Sequence, residues 1–392
     1  DGATPVDAAS EAGPVDAGPD ASALAAALYD PNNIPKFEIT IDAAAVAIFS
    51  STAAADQKTW VHGTFKHGST VIADVGIRRK GSSTFRAMPQ KVALKIRFDK
   101  YVAKQRYAGL TELTLNNMTS DPTFLAERLA YHVFRAANLP AQRANTAELT
   151  INGESYGIYA NVETPNKDLL DRLYGATASS LYEVEYGSEW LPGYEDGATL
   201  DVGDPAKADL VALYAAVQAA KPATLLTDVQ ARLDTAKFLR YCAAEAAVGH
   251  YDGYAYSKFG SHNYFLAGDT TGKFTLIPWS TDLSMSDREG LVDASQPQFS
   301  DVVAKGDTLL VRCKASATCW PAYKAEVQSV LTLVESLNLP ALAQAWHAQI
   351  DVLARADPKR EADLAYYDAE TAKLYAWLAA RPALVRTQLG LP

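Results

Sequence analysis

The residues best suited to chemistry surround a predicted β-hairpin in the C-terminal half of the chain. Two apolar runs, His262–Ala267 and Phe274–Trp279, flank the turn-rich segment Gly268–Lys273, and this pattern indicates a pair of antiparallel strands. Pairing across the middle of that turn sets Asn263 opposite Pro278. Asn263 is therefore expected at the open end of the hairpin, beside the loop that follows the second strand.

A carboxylate flanks this hairpin on each side in the sequence. Asp252 lies in an Asp-Gly turn after an apolar helix, and Asp282 lies in the loop after the second strand. In phosphoryl transfer from a nucleotide, one carboxylate orients the attacking hydroxyl, while an amide oxygen and a second carboxylate hold a divalent ion. Asp252, Asn263 and Asp282 follow the order in which protein kinases place these groups, although neither His-Arg-Asp nor Asp-Phe-Gly occurs.

A basic loop and the strand after it could hold the phosphates of a nucleotide. The loop consists of Lys80, Gly81, Ser82 and Ser83. Its backbone N–H groups suit phosphate oxygens, and the predicted strand Lys91–Phe98 adds Lys91 and Lys95 on one of its faces. The alternative is an ordinary solvated strand face, and the residues alone leave both interpretations open.

Two glutamates also have a functional and a structural interpretation. Glu127 lies in a helix that the N-cap residue Asp121 predicts; we expect it to be a surface charge, and the alternative is the partner of a phosphate-binding lysine. Glu163 ends a strand that follows an Asn-Gly hairpin turn. It either contacts the adenine or ribose of a nucleotide or begins the next helix.

Composition excludes two classes of function. The chain has 392 residues and a net charge of −10, and it lacks a run of lysine and arginine, which argues against a general nucleic-acid binder. Its sequence also lacks a stretch approaching the roughly 18–20 uninterrupted apolar residues of a membrane span.

The N-terminal segment and the cysteines suggest where the protein works. Residues 1–30 are predicted to be a disordered, acidic tether rich in alanine and proline, because such a segment buries too little apolar surface to order itself. The chain starts at Asp1 without methionine, so we expect that a leader was removed and that the protein is an envelope lipoprotein or secreted. Cys313 and Cys319 could close a small disulfide loop, which export would favour.

The remaining elements predict an α+β fold with two lobes. Residues 31–165 are rich in antiparallel strands, and residues 166–392 are rich in helices. Near the C-terminus, the prolines predict separate helices at Pro358–Ala379 and Pro382–Gln388. We expect substrate choice to depend on loops such as Gly187–Gly203.

Taken together, these features resemble the CotH family, the spore-coat-protein-H-like atypical kinases, over roughly Lys36 to Arg386. Six motifs carry the resemblance in order: the loop and strand Lys80–Phe98, Asp121-Pro-Thr-Phe-Leu-Ala-Glu-Arg-Leu-Ala, Ile151-Asn-Gly-Glu-Ser-Tyr-Gly-Ile-Tyr running into Glu163, Tyr251-Asp-Gly-Tyr, His262-Asn-Tyr-Phe-Leu, and Ile277-Pro-Trp-Ser-Thr-Asp. The resemblance implies a remote protein-kinase fold that binds ATP with Mg²⁺, or alternatively Mn²⁺. It also implies phosphorylation of serine or threonine in secreted, coat or envelope proteins.

The resemblance also assigns roles by matching position. Asp252 corresponds to the catalytic aspartate, and Asn263 and Asp282 correspond to residues on the metal side of the site. Lys91 and Lys95 match the lysines of the strand after the loop, and either could contact phosphate.

Two positions depart from the family pattern. The family often has two aspartates after the tryptophan, and the first of these positions is Ser280 here. The arginine usual before the loop glycine is Lys80, which keeps the charge but loses bidentate phosphate recognition.

The sequence supports a leading hypothesis and two alternatives. The leading one is an active monomeric kinase. It binds a nucleotide and a protein substrate on a coat or cell surface, and it does not bind nucleic acid. The first alternative is a pseudokinase that serves as a coat scaffold or adhesin, which Ser280 favours. The second is a hydrolase or zinc site, in which His250 and His262 bind Zn²⁺ together with Asp252.

Overall fold

Strands lie mainly in the first half of the chain and helices mainly in the second. The structure is a computed structural model that describes residues 19–184, 190–257, 260–287, 292–297 and 308–392. One buried apolar cluster fills the strand-rich half, and a larger one joins the helices of the second half to α4 (Ala126–Ala136). This arrangement confirms the predicted α+β class.

The strand-rich half forms a closed barrel. Its strands are β1 (Lys36–Thr40), β2 (Val61–His67), β3 (Thr70–Lys80), β4 (Ala93–Arg97), β5 (Glu112–Asn116), β6 (Ala144–Ile151) and β7 (Glu154–Val162). They follow the order β1-β2-β3-β4-β5-β7-β6, and parallel pairing of β6 with β1 closes the barrel. Leu94 and Ile96 of β4 are fully buried, whereas Lys95 between them is partly exposed. Alternate side chains of β4 therefore point into the barrel core, and the polar side chains between them point out of it.

Two hairpins connect neighbouring strands in this half, and the second of them is the predicted Asn-Gly hairpin. β2 pairs with β3, and β6 pairs with β7. The second hairpin turns at Asn152 and Gly153, whose φ angles are 50° and 81°. Two successive left-handed residues match the twist of a two-residue hairpin, which explains the Asn-Gly pair.

Three helices lie outside the barrel near the N-terminus. They are α1 (Pro19–Leu28), α2 (Ala43–Ser50) and α3 (Ala54–Gln57). The predicted tether was expected to extend to residue 30, but Ala25, Leu28 and Tyr29 are buried against the barrel core. The expectation is wrong for residues 19–30, because these apolar side chains give α1 a surface to bury; residues 1–18 lie outside the described part.

The second half combines a four-stranded sheet with most of the helices. The strands are β8 (Ala178–Val184), β9 (Ala198–Val202), β10 (Tyr264–Asp269) and β11 (Phe274–Pro278), in the order β11-β10-β8-β9. The helices are α5 (Lys167–Tyr174), α6 (Ala208–Ala219), α7 (Leu225–Val229), α8 (Thr235–Val248), α9 (Leu309–Lys314), α10 (Cys319–Ser336), α11 (Leu339–Ala356) and α12 (Leu364–Leu389). The predicted substrate loop Gly187–Gly203 includes β9, and its residues 187–189 lie outside the described residues.

The C-terminal helix differs from its prediction. The sequence predicts a break at Pro382, but α12 continues through it as one helix of 26 residues. Pro382 lacks only one backbone donor and is buried with its neighbour Arg381, so packing of the helix against the core outweighs the lost hydrogen bond.

Two further features bear on where the protein works. Cys313 and Cys319 form a disulfide with a Cα–Cα distance of 5.1 Å. No single helix among the described residues is both long and apolar enough to cross a membrane. Only the bent pair Ala208–Ala219 and Pro222–Val229 could do so, judged by length and composition alone.

Candidate active site

The loop that carries Asp252 is fixed by a buried carboxylate from the preceding helix. Glu245 of α8 is fully buried and accepts hydrogen bonds from the backbone N–H groups of Tyr254 at 2.9 Å and Ala255 at 2.7 Å. Gly249 ends α8 with a φ of 64°, a left-handed conformation that favours glycine. The chain therefore leaves the helix along one defined path, and Asp252 is held in place just after it.

Asp252 receives two side-chain hydrogen bonds from the start of the central hairpin. One carboxylate oxygen accepts from Asn263 Nδ2 at 2.8 Å, and the other lies 2.8 Å from His262 Nε2. Asn263 Nδ2 also donates to the backbone carbonyl of Asp252 at 2.9 Å. Burial lowers the pKa of His262, but the hydrogen bond and charge of Asp252 outweigh it and raise that pKa above its usual value.

The central hairpin is present, with a register one residue from the prediction. Tyr264, not Asn263, lies opposite Pro278, because the turn is centred on Thr271 and not between Thr270 and Thr271. Asn263 lies just outside the strand with a φ of 53°, and its carbonyl accepts from Trp279 N–H at 3.0 Å. The hairpin still brings Asn263 to its open end.

Asp282 lies in the short turn that follows this hairpin. It is 9% exposed, and one carboxylate oxygen accepts from Ser280 Oγ at 3.0 Å. Burial raises the pKa of Asp282 and the charge of Asp252 raises it further, while Ser280 and Lys80 act in the opposite direction. The turn also contacts α4, where Thr281 Oγ1 donates to the carbonyl of Glu127 at 3.5 Å.

Lys80, Asn116 and Glu127 form a hydrogen-bonded chain next to Asp282. Lys80 Nζ donates to Asn116 Oδ1. Asn116 Nδ2 in turn donates to both oxygens of Glu127, at 2.8 and 3.0 Å. The ammonium group also lies 5.1 Å from the centre of the Trp279 ring. Lysine and glutamate are thus linked through an amide instead of by direct contact.

The charges of this group act on one another. Burial, and then the charge of Asp282, raises the pKa of Glu127 to about 8. Burial lowers the pKa of Lys80, while the charges of Glu127 and Asp282 oppose that shift. Two carboxylates and one lysine therefore share a poorly solvated space, in which added positive charge would be stabilised.

The expectation that Glu127 is a surface charge is wrong, because it is only 1% exposed. The sequence does contain a signal for its burial. Glu127 is in phase with Ala130, Tyr131 and Phe134, at positions i, i+3, i+4 and i+7 of one helix face, and these three are fully buried. An acidic residue inside an apolar stripe indicates a partner within the fold.

The basic loop forms a tight turn that begins at a glycine with a positive φ. Gly81, Ser82 and Ser83 are exposed, and Phe85 N–H closes the turn by donating to the Ser82 carbonyl at 3.2 Å. Gly81 has a φ of 105°, and a Cβ there would lie 2.8 Å from Thr84 Oγ1. The tight backbone path therefore requires glycine.

Lys91 does not join this group. It is 2% exposed and forms an ion pair with Asp357, whose side chain is fully buried, and its ammonium lies near the rings of Phe124 and Tyr159. The prediction that it is a phosphate-binding residue needs correction: Lys91 precedes β4, and its charge is already neutralised in the core.

The other two predicted nucleotide contacts have protein partners as well. Lys95 pairs with Glu112 at 2.9 Å, although its charge still affects the pKa of Lys80. Glu163 is buried and accepts from Arg143 at 2.7 Å and from Arg172 at 2.6 Å. Glu163 thus joins elements of the protein, so the structure corrects its predicted contact with adenine or ribose, whereas Lys95 stays a candidate near the loop.

Asp282 and Asn263 are the residues of this site that could hold a magnesium ion. Since Asn263 Nδ2 is occupied by Asp252, its Oδ1 is the atom left for a ligand, and Asp282 adds a carboxylate. Mg²⁺ is usually held by one or two carboxylates together with substrate phosphates and water. The described residues contain no group of three or more His, Cys, Asp and Glu side chains placed to hold a metal. This speaks against the zinc alternative with His250.

Comparison with known proteins shows the family of this chain. The family described as CotH kinase protein matches residues 77–385, more than three quarters of the chain, and this range includes the candidate site residues. The chain belongs to the CotH kinase family. Membership confirms the resemblance seen in the motifs.

Two relatives from Bacillus subtilis (strain 168) are similar to this CotH chain. Inner spore coat protein H is 21% identical over 302 residues, which cover 73% of this chain and 80% of the relative. An inner spore coat protein H-like protein is 35% identical over 80 residues, or 20% of this chain and 24% of the relative. Among solved structures, the Helicobacter pylori proinflammatory kinase CtkA aligns with a TM-score of 0.31 and 10% identity, over 84% of this chain and 91% of that one.

Proposed function

We propose that this CotH protein transfers the γ-phosphoryl group of ATP to serine or threonine hydroxyls of coat, envelope or secreted proteins. The observation that carries the proposal is the grouping of Lys80, Glu127 and Asp282 within electrostatic reach of one another, with Asp252 and Asn263 at the adjoining hairpin. Protein kinases need a lysine–glutamate link, a metal-binding carboxylate and amide, and a base.

Each residue has one task in this proposal. Asp252, fixed by His262 and Asn263, accepts or orients the proton of the substrate hydroxyl. Lys80 binds phosphate oxygens, with Glu127 and Asn116 holding its ammonium in position. The backbone of the Gly81–Ser83 turn covers the phosphates. Asp282 and the Asn263 oxygen would hold Mg²⁺ or Mn²⁺, which supplies neutralising charge for the transferred phosphoryl group.

A pseudokinase is the second candidate, and Ser280 is the observation that favours it. Ser280 occupies the position of the first family aspartate, and its hydroxyl donates to Asp282. A hydroxyl at this place adds no negative charge for a metal ion. In that case the chain would act as a scaffold or adhesin on a coat or cell surface.

Location is proposed on two grounds. The relative that covers most of the chain is named as an inner spore coat protein. The Cys313–Cys319 disulfide suits an oxidising compartment. Both support an extracytoplasmic place of action, on a coat or in the cell envelope.

Autophosphorylation with γ-labelled ATP and Mg²⁺ or Mn²⁺ tests the proposal. Wild type is compared with Asp252→Ala and Asp282→Ala, and Asp171→Ala serves as the matched control, since Asp171 is an exposed aspartate paired with Lys167. We expect label in wild type and control, and a loss of at least about 10²-fold in both site variants.

Nucleotide-dependent thermal stabilisation separates the two candidates. A ligand that binds only the folded state raises its apparent stability. Stabilisation by ATP and Mg²⁺ together with label supports the kinase. Absence of label on the chain and on a mixture of coat proteins, together with absence of stabilisation by ATP and Mg²⁺, would favour the pseudokinase.

A further inference from the structure

A cavity of about 550 Å³ lies between the start of α4, the turn after Asp282 and the C-terminal helix α12. Its walls are mainly apolar and include Met285, Leu374 and Trp377. Sites for small molecules commonly have this volume and character. None of the residues assigned above to phosphoryl transfer lines it, so the cavity is separate from the candidate active site.

The acidic side chains in the cavity wall already accept hydrogen bonds. Asp121 accepts from backbone N–H groups near the start of α4 at 2.8 and 2.9 Å. Asp287 accepts from Trp377 Nε1 at 2.9 Å, and Glu370 accepts from Lys373 Nζ at 2.8 Å. The acceptors of this cavity are thus engaged by the protein.

Its donors are not all engaged. Arg381 is 3% exposed and donates from Nε and Nη2 to one backbone oxygen, that of Ala246, at 3.0 and 2.6 Å. Its third nitrogen, Nη1, has no hydrogen-bond partner among the described residues, and neither do the hydroxyl groups of Ser284 and Ser286. All three residues line the cavity.

Such a set of buried donors favours a bound acceptor. An unpaired buried donor destabilises the folded protein, and a guanidinium group stays charged at neutral pH. Among the described residues Arg381 donates hydrogen bonds only to a neutral carbonyl, and the carboxylates of Asp287 and Asp293 act on its charge without forming an ion pair with it. A carboxylate ligand would supply the missing charge and several acceptor sites at once.

We propose that this cavity binds a small organic carboxylate. Its carboxylate accepts from Arg381 Nη1 and the serine hydroxyls, and its apolar body contacts Trp377, Leu374 and Met285. A phosphate or a polyphosphate fits less well, since the walls are mainly apolar and the carboxylates of Asp287 and Glu370 would repel a multiply charged anion.

Direct binding to the full chain, measured by calorimetry without nucleotide, tests the proposal. The probes are 2-naphthoate and octanoate, each paired with its uncharged alcohol, 2-naphthylmethanol and octanol. We expect at least one carboxylate to bind at millimolar concentration or below, and to bind at least tenfold more tightly than its alcohol. Binding by neither carboxylate, or equal binding by acid and alcohol, would overturn the proposal.

Two tryptophan variants on α12 locate the bound probe. Ala376 lines the cavity, and a tryptophan there fills it, whereas Ala379 is exposed on the same helix and does not line it. We expect Ala376→Trp to abolish binding and Ala379→Trp to retain it. Equal binding by both variants would show that the carboxylate binds elsewhere and would refute the site.

Arg381→Met tests the charge itself. The variant loses two hydrogen bonds to the end of α8, so circular dichroism first establishes that it is folded. In the folded variant we expect the preference for acid over alcohol to disappear. If Arg381→Met does not fold, Ser284→Ala gives the deciding result, with a severalfold loss of carboxylate affinity expected and an unchanged affinity counting against the proposal.

Discussion

Two lysines close together in the sequence have opposite environments. Lys91 directly contacts the buried carboxylate of Asp357, the residue that follows α11. Lys80 reaches the carboxylate of Glu127 only through the amide of Asn116. The first arrangement neutralises the lysine within the protein. The second holds the lysine in place while leaving charge available to a ligand, and we propose that this difference separates a structural lysine, Lys91, from a phosphate-binding lysine, Lys80.

The largest expected effect concerns the stability that Lys91 provides. Lys91→Met leaves Asp357 buried without its counter-charge, which should lower the free energy of unfolding by roughly 3–5 kcal/mol. Urea unfolding measures the change, with Lys66→Met on the surface as the control. A loss as small as that of Lys66→Met would mean that Lys91 stabilises the fold no more than a surface lysine does. The contrast between Lys91 and Lys80 would then fail.

The complementary change at Lys80 should act on catalysis. Lys80→Met removes a phosphate-binding charge at a half-buried position, so we expect phosphotransfer to fall by about 10²–10³-fold while the protein remains folded. Autophosphorylation and urea unfolding of the same preparation give both values. Full activity in this variant would contradict the role proposed for Lys80.

Two glutamates should respond to pH with opposite signs. Glu127 has a pKa of about 8, above the ordinary 4.5. The folded state therefore binds its proton more tightly, and the stability that protonation provides is lost as pH rises from about 4.5 through about 8. Glu127→Gln should gain stability relative to wild type across that interval, measured by urea unfolding at several pH values.

Glu163 is the matched comparison for this titration. Burial raises its pKa, but the pairs with Arg172 and Arg143 outweigh burial and lower it overall. Its stabilising contribution is present above the ordinary value and is lost on acidification. Glu163→Gln should thus be less stable than wild type at neutral pH and approach it in acid. If both variants were more stable than wild type at neutral pH, or both less stable, the opposite pKa shifts assigned to Glu127 and Glu163 would be refuted.

The smallest effect is expected at the amide link. Asn116→Leu keeps the number and branching of the side-chain heavy atoms but breaks the chain from Lys80 to Glu127, which should cost about 1 kcal/mol, or roughly a fivefold loss of kcat/KM. Steady-state kinetics measures it. A loss as large as that of Lys80→Met would mean that Asn116 contacts the nucleotide itself.

Local patterns were sufficient to predict much of the site. The Asn-Gly hairpin, the hairpin after α8 and the placement of Asn263 beside Asp252 depend on residues close together in sequence, where turn chemistry and alternation are informative. The family motifs then linked these pieces. The one-residue shift of register arose because turn length is poorly determined by composition.

Long-range partners could not be predicted in the same way. Lys91 and Asp357 are 266 positions apart, and alternation along one strand does not show that a lysine is paired in the core. Glu163 likewise binds arginines supplied by β6's preceding loop and by α5. Glu127 was the exception, because the apolar stripe around it did indicate burial.

Helix α12 has a consequence for when the protein becomes active. Arg381 donates to the buried carbonyl of Ala246 near the end of α8, and Trp377 lies against Gly249, just before the loop of Asp252. These contacts come from a helix that is synthesised more than 100 residues after the loop of Asp252. A growing chain that has not yet reached α12 lacks them, so the loop that carries the proposed base is secured only after α12 has been made, and the proposed phosphorylation is disfavoured before then.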